Sequence, residues 1–138
     1  MYTLEEIAAL RQKCTDYKLE NREILEKYSD EELQKICNGI GPDCFPGAAR
    51  KIVDKLHPSL KPVAVVHDVE WWESDGSRAS FYASNERFKC NGRKCALAEY
   101  QWYDLRRYWV MHKARQFGNL CQVFGWEFYK GCSKSNET

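Results

Sequence analysis

His67 and Asp68 are the residues of this sequence best suited to chemistry. They follow Val63-Ala64-Val65-Val66, an apolar run that begins just after Pro62. A histidine that acts as a general base needs a partner to orient its ring. Neighbours on a helix point roughly 100° apart, so Asp68 cannot orient His67. Asp68 is therefore free for another task, such as binding a hard cation like Ca²⁺.

A glycine-rich segment lies upstream of this pair. Residues 38–47 read Asn-Gly-Ile-Gly-Pro-Asp-Cys-Phe-Pro-Gly, which predicts an ordered loop rather than a helix or a strand. Glycine permits backbone angles that can turn carbonyl oxygens inward, where they could complete a calcium site. An ordinary connection between two helices is the alternative interpretation.

Three short motifs follow one another along the chain. Asn38–Pro42 reads NGxGP, His67–Trp71 reads HDxxW, and Ser84–Phe88 reads SNxxF. In this order they resemble the phospholipase A₂ superfamily, whose hallmark is a glycine-rich calcium loop followed by HDxxY, and most of all its short bacterial and parvoviral members. The chain is also similar to uncharacterised phage proteins of the same layout. The resemblance covers about residues 37–90, or 37–130 for the phage group.

The resemblance implies a calcium-dependent hydrolase site. His67 would be the general base that activates water for hydrolysis of a phospholipid ester. Asp68 would supply the carboxylate that binds Ca²⁺, and the carbonyl groups of Gly39 and Gly41 would complete the metal site. On this interpretation the domain is a phospholipid ester hydrolase.

The sequence departs from the family pattern at two positions. Asn85 stands where the family has the Asp that orients the catalytic His, and Trp71 stands at the Tyr position. A neutral amide can accept a bond from His67, but it cannot stabilise an imidazolium as a carboxylate does. We therefore predict a non-catalytic or weakly catalytic, phage-encoded module that binds a host protein, for example as an inhibitor of host defence, or an anionic partner. The active hydrolase is the alternative.

Basic residues concentrate in the second half of the chain, although the whole molecule has a net charge of only +1. Residues 86–115 hold eight Lys and Arg against three acidic residues, interleaved with aromatic rings. This pattern favours an anion, which could be a phospholipid, a nucleic acid or an acidic protein. A solvated helix face is the alternative. The candidate partner-binding residues are Arg87, Arg93, Lys94, Arg106, Arg107, Lys113 and Arg115.

Apolar spacing predicts a mainly α fold: a small helical domain with central antiparallel helices over residues 1–132, and a disordered tail over residues 133–138. A capping box at Thr3 opens the first helix and another at Ser29 the second, and Asn91-Gly92 is expected to break the chain between two later helices. A buried strand at Val63–Val66 is the alternative to the central helix. The predicted helices are 4–27, Asp30–Cys37, Ala48–Leu56, 63–72, 81–90, 96–117 and 120–128.

Cysteine usage bears on compartment and cofactors. The chain has seven Cys and no apolar stretch typical of an export signal, so we expect reduced thiols and a cytoplasmic location. Structural zinc is disfavoured because the closest pair, Cys90 and Cys95, has four intervening residues and no matching second pair. No run approaches the roughly 20 apolar residues that a membrane span needs.

Overall fold

Apolar residues at helical spacing form five α-helices within residues 2–38, 56–127 and 129, which are the residues that this computed structural model describes. The helices are α1 (Leu4–Asp16), α2 (Asp30–Cys37), α3 (Lys61–Trp72), α4 (Arg78–Glu99) and α5 (Leu105–Phe124), with 3₁₀ turns at Arg22–Lys27 and Pro58–Leu60. The described ranges contain no strand, so the prediction of a mainly α fold is confirmed. Residues 48–55 of the predicted helix Ala48–Leu56, the glycine-rich loop from Gly39 and the tail 133–138 lie outside them.

The N-terminal helix is shorter than predicted. Thr3 caps it by accepting a hydrogen bond from the backbone N–H of Glu6, and α1 ends at Asp16. The predicted helix 4–27 is wrong because Lys18 and Asn21 have φ angles of 54° and 64°. Positive φ at two such positions cannot continue a right-handed helix, so the chain turns.

The guanidinium group of Arg11 holds the first three helical segments together. It donates to the backbone carbonyls of Leu25 and Tyr28, and it pairs with the Asp30 carboxylate at 2.9 Å. The Leu25 carbonyl also accepts from the backbone N–H of Tyr28, so the contacts of Arg11 add to the bonding at the end of the 3₁₀ turn and tie α1 to it and to the start of α2. The predicted boundaries of α2 are confirmed, with a reciprocal capping box between Ser29 and Glu32.

The central segment is a helix, and the alternative of a strand at Val63–Val66 is wrong. Pro62 sits in the first turn of α3, where its missing N–H costs nothing. Nearly every side chain from Pro62 to Trp71 is buried, because α1 and α2 cover one side of α3 and α4 covers another. The apolar character of this stretch therefore reflects a helix at the centre of the domain.

The sequence predicted a break at Asn91-Gly92, and this prediction is wrong. Gly92 lies inside one continuous helix, α4. A Cβ at Gly92 would overlap the Cβ of Ala114 on α5. Lys89 lies one turn before Gly92 on α4, and Gly118 lies one turn after Ala114 on α5. A Cβ at Gly118 would lie 2.7 Å from Cγ of Lys89. The two glycines thus let α4 and α5 pack closely as an antiparallel pair.

The real break comes later, where the sequence predicted one helix over 96–117. The chain is extended at Tyr100, and Asp104 then caps α5 by accepting from the N–H of Arg106 at 3.0 Å. The helix continues through Gly118 to Phe124, so the predicted separate helix 120–128 is also wrong. None of the helices in the described ranges is long and apolar enough to cross a membrane.

Candidate functional site

The side chains of His67 and Asn85 meet in the buried core between α3 and α4. Their contact joins Nε2 of His67 to Oδ1 of Asn85 at 3.0 Å. The amide nitrogen of Asn85 donates to Oε1 of Gln122 on α5 at 3.0 Å, so its oxygen is the group that faces the ring. His67 must therefore donate from Nε2, which makes Nδ1 the basic nitrogen of a neutral imidazole.

Aromatic rings enclose His67. The ring centroids of Trp71, Phe88 and Phe117 lie 4.8, 5.2 and 6.4 Å from that of the imidazole, and His67 is only 5% exposed. Burial lowers the pKa of His67 from 6.5 to about 4, and the charge of Arg87 adds to this, although the bond to Asn85 opposes it. The imidazole is therefore uncharged at neutral pH.

Asp68 lies on the adjacent side of α3 and is partly buried. Burial raises the pKa of its carboxyl group from 3.8 to about 8. Within the described residues it has no ion pair and no hydrogen bond. The charge of Asp68 affects two nearby thiols. Burial, and to a lesser extent this charge, raises the pKa of Cys37 well above its usual range and the pKa of Cys121 to about 12.

The described residues do not by themselves fit Ca²⁺. Asp68 offers one carboxylate, but its titratable neighbours Cys37 and Cys121 are thiols, and sulfur is a poor ligand for a hard cation. No cluster of three or more His, Cys, Asp or Glu side chains suited to a metal ion occurs in the ranges that the structure covers. Gly39 and Gly41 fall outside those ranges, so calcium binding stays a prediction.

Trp71 and Phe88 are both buried beside His67. Trp71 donates from its indole nitrogen to the hydroxyl of Ser84 at 3.0 Å, and Ser84 in turn donates to the carbonyl of Phe81. The HDxxW and SNxxF motifs therefore contact each other across the α3–α4 pair. Sequence reasoning missed Gln122, which completes the hydrogen-bonded chain from α5 and carries no motif that could have revealed it.

A buried ion pair that the sequence did not suggest lies one turn along α3. The side chain of Glu70 is 5% exposed, and its two carboxylate oxygens accept from Nε and a terminal nitrogen of Arg87 at 3.0 and 3.1 Å. Burial raises the pKa of Glu70 even though Arg87 opposes the shift. Arg87, predicted to bind a partner, is thus engaged inside the fold.

The other predicted partner-binding residues are distributed over α4 and α5. On α4, Arg93 is exposed and Lys94 donates to the carbonyl of Lys18 at 3.0 Å. At the start of α5, Arg106 pairs with Asp104, and Arg107 donates to the carbonyl of Leu97 at 3.2 Å. Farther along α5, Lys113 lies 4.6 Å above the ring of Trp109, and Arg115 is exposed.

The outward side of α5 and the loop before it carry most of the exposed apolar surface, which we call the outer α5 face. Eight of the eleven large hydrophobic side chains that are exposed in the described residues belong to it. The sequence 105–124 contains no acidic residue. The outer α5 face consists of Trp102, Tyr103, Leu105, Tyr108, Trp109, Leu120, Val123 and Phe124, together with the basic Arg106, Lys113 and Arg115.

The chain matches no model of a known protein family, no curated protein and no solved structure. Its described residues form a small, mainly α-helical domain. The phospholipase A₂ resemblance remains a prediction from three short motifs.

Proposed function

We propose that this domain is a non-catalytic binding module that holds an anionic partner on its outer α5 face, on a phospholipase A₂-like scaffold in which Asn85 replaces the catalytic acid. The contact between His67 and Asn85 supports the scaffold, because the resemblance implies that these two positions meet. The phage origin rests on the sequence resemblance alone.

The surroundings of His67 argue against base catalysis. A general base works best when its pKa lies near the operating pH, and the pKa of His67 is lowered to about 4. Proton abstraction would create an imidazolium against a neutral amide and among aromatic rings. Removing the carboxylate from an analogous triad costs about 10⁴ in rate.

The observation that carries the proposal is the outer α5 face. A monomeric protein rarely leaves a large apolar surface in contact with water, and such a surface usually marks an interaction site. Trp102, Tyr103 and Leu105 are 71, 69 and 82% exposed. Farther along α5, Lys113 over the ring of Trp109 and the exposed Arg115 supply positive charge on the same face, and no carboxylate of α5 offsets it.

Retention on immobilised heparin tests the charge of this face. The double variant Lys113→Ser with Arg115→Ser should elute at clearly lower salt than the wild type, because two contacts to the polyanion are lost. Lys13→Ser with Lys35→Ser is the matched control, since it changes net charge equally at exposed positions on α1 and α2. We expect the control to elute near the wild type.

Two outcomes would contradict the proposal. Equal shifts for both double variants would mean that heparin senses only net charge and not the outer α5 face. Calcium-dependent hydrolysis of a phospholipid that is lost in His67→Gln would overturn the non-catalytic assignment and favour the alternative, in which His67 is the general base.

A further inference from the structure

Resting on the proposed function, we infer that the anionic partner is the surface of a phospholipid bilayer with acidic headgroups, which the outer α5 face contacts along its whole length. Three features of the outer α5 face favour a bilayer: the spacing of its exposed apolar side chains, their types, and the positions of the positive charges among them.

The apolar side chains form two groups at opposite ends of the same helix face. Leu105 and Val123 are 82 and 70% exposed, and they are 18 residues apart, which is five full turns and about 27 Å. They therefore point in the same direction. A partner that covers both ends at once must be extended and nearly flat, as a bilayer surface is.

The side-chain types favour lipid over nucleic acid. Leu105, Leu120 and Val123 have no aromatic face on which a base could stack, yet all three are exposed. Trp102 and Tyr103 combine an apolar ring with a polar group, which suits the boundary between headgroups and acyl chains.

Positive charge is placed where the headgroups would lie. Lys113 and Arg115 lie on the same helix between the two apolar ends, whereas Arg106 lies within the first apolar group and pairs with Asp104. The hydroxyl of Tyr108 donates to the carbonyl of Trp102 at 2.6 Å. This bond ties the loop before α5 to the first turn of the helix. The five large hydrophobic side chains within residues 102–109 are each 50 to 82% exposed.

Vesicle flotation tests the inference directly. The wild-type chain should float with vesicles of equal parts phosphatidylglycerol and phosphatidylcholine, and it should bind vesicles of phosphatidylcholine alone far more weakly. Trp102→Ser with Leu105→Ser should reduce partitioning onto the acidic vesicles at least about tenfold, because inserted apolar surface is lost. The matched control is Leu4→Ser with Tyr82→Ser, which removes exposed apolar side chains elsewhere and should change partitioning less than about twofold.

The other results each overturn the inference. If the wild-type chain does not float with acidic vesicles, the bilayer inference is wrong. If it is still retained on heparin, the proposed function stands. If it is not retained either, the inference and the proposed function are both wrong. Binding of a single-stranded thymidine oligonucleotide without vesicle binding would assign the face to nucleic acid. A concentration-dependent dimer that is abolished by Trp102→Ser with Leu105→Ser, again without vesicle binding, would assign it to a second copy of this chain.

Discussion

Asp68 should make the folded protein lose stability as the pH rises from about 6.5 to about 8, and Asp68→Asn should remove that loss. The pKa of Asp68 is raised from 3.8 to about 8, so the folded state keeps a proton that the unfolded chain has lost. Stability that depends on such a proton decreases as the pH rises towards the folded-state pKa.

His67 determines the pH window in which this loss can be observed. Its pKa is lowered from 6.5 to about 4, so between these values the unfolded chain binds the extra proton and stability increases with pH. The contributions of His67 and Asp68 therefore oppose each other from about pH 4 to about pH 6.5. Above about pH 6.5, only Asp68 of these two groups still changes the free energy of unfolding. Over one and a half pH units, at about 1.4 kcal/mol per unit, the loss is about 2 kcal/mol. Partial exposure of Asp68 reduces this towards about 1 kcal/mol.

Urea unfolding followed by tryptophan fluorescence measures the effect. Asp68→Asn should be equally stable at about pH 6.5 and about pH 8. From about pH 4 to about pH 6.5 it should gain about 3 kcal/mol, more than the wild type gains, because the contribution of His67 is no longer opposed. Asp16→Asn, at an exposed position, should follow the wild type. A wild type whose stability does not fall above about pH 6.5, or an Asp68→Asn variant that falls equally, would refute the reasoning. Adding calcium extends the test, since a metal on Asp68 should stabilise the wild type most at about pH 8 and leave Asp68→Asn unchanged.

Two further substitutions test the packing and the polarity of the core. Gly92→Ala should destabilise the fold by about 1 to 2 kcal/mol in urea unfolding, since overlap with Ala114 outweighs the gain of about 1 kcal/mol in helix propensity. Gly118→Ala, which meets the flexible side chain of Lys89, should cost less, and the opposite order would contradict this account of the α4–α5 contact. Asn85→Asp should raise the pKa of His67 by about 1 to 3 units in an NMR titration, because a carboxylate would then lie at the position 3.0 Å from Nε2. An unchanged titration would show that the contact between residues 67 and 85 does not control the protonation of the ring.

Local signals in the sequence predicted several element boundaries. The capping residues Thr3 and Ser29 mark the true starts of α1 and α2, and Pro62 marks the first turn of α3. Such signals act within one turn of the chain, so a single sequence carries them in full. The end of α1 had no comparable signal, because Lys18 has no intrinsic preference for positive φ.

The wrong helix boundaries predicted for the second half of the chain have one physical origin. The pair Asn91-Gly92 predicts a break because Asn-Gly is typical of turns and glycine weakens an isolated helix by about 1 kcal/mol. In the fold Gly92 packs directly against Ala114 of α5, a contact that is not encoded locally. The true break at Tyr100–Asp104 contains neither glycine nor proline, and it forms because α5 turns back to pack antiparallel on α4.

The location of charge is what distinguishes a binding module from a hydrolase in this domain. At the centre, burial acts on the base and on the acid in opposite directions, and both become uncharged: His67 loses its proton, and Asp68 keeps one until about pH 8. A hydrolase of the kind that the motifs imply needs the reverse, a carboxylate that holds a cation and a histidine whose protonated form is stabilised. Unopposed positive charge lies instead on α5, which has no acidic residue between Leu105 and Phe124 and which, with the loop before it, carries most of the large exposed hydrophobic side chains. Reversing the polarity of the core with Asn85→Asp should therefore change the titration of His67 without changing partitioning onto acidic vesicles, whereas variants of the outer α5 face should do the opposite.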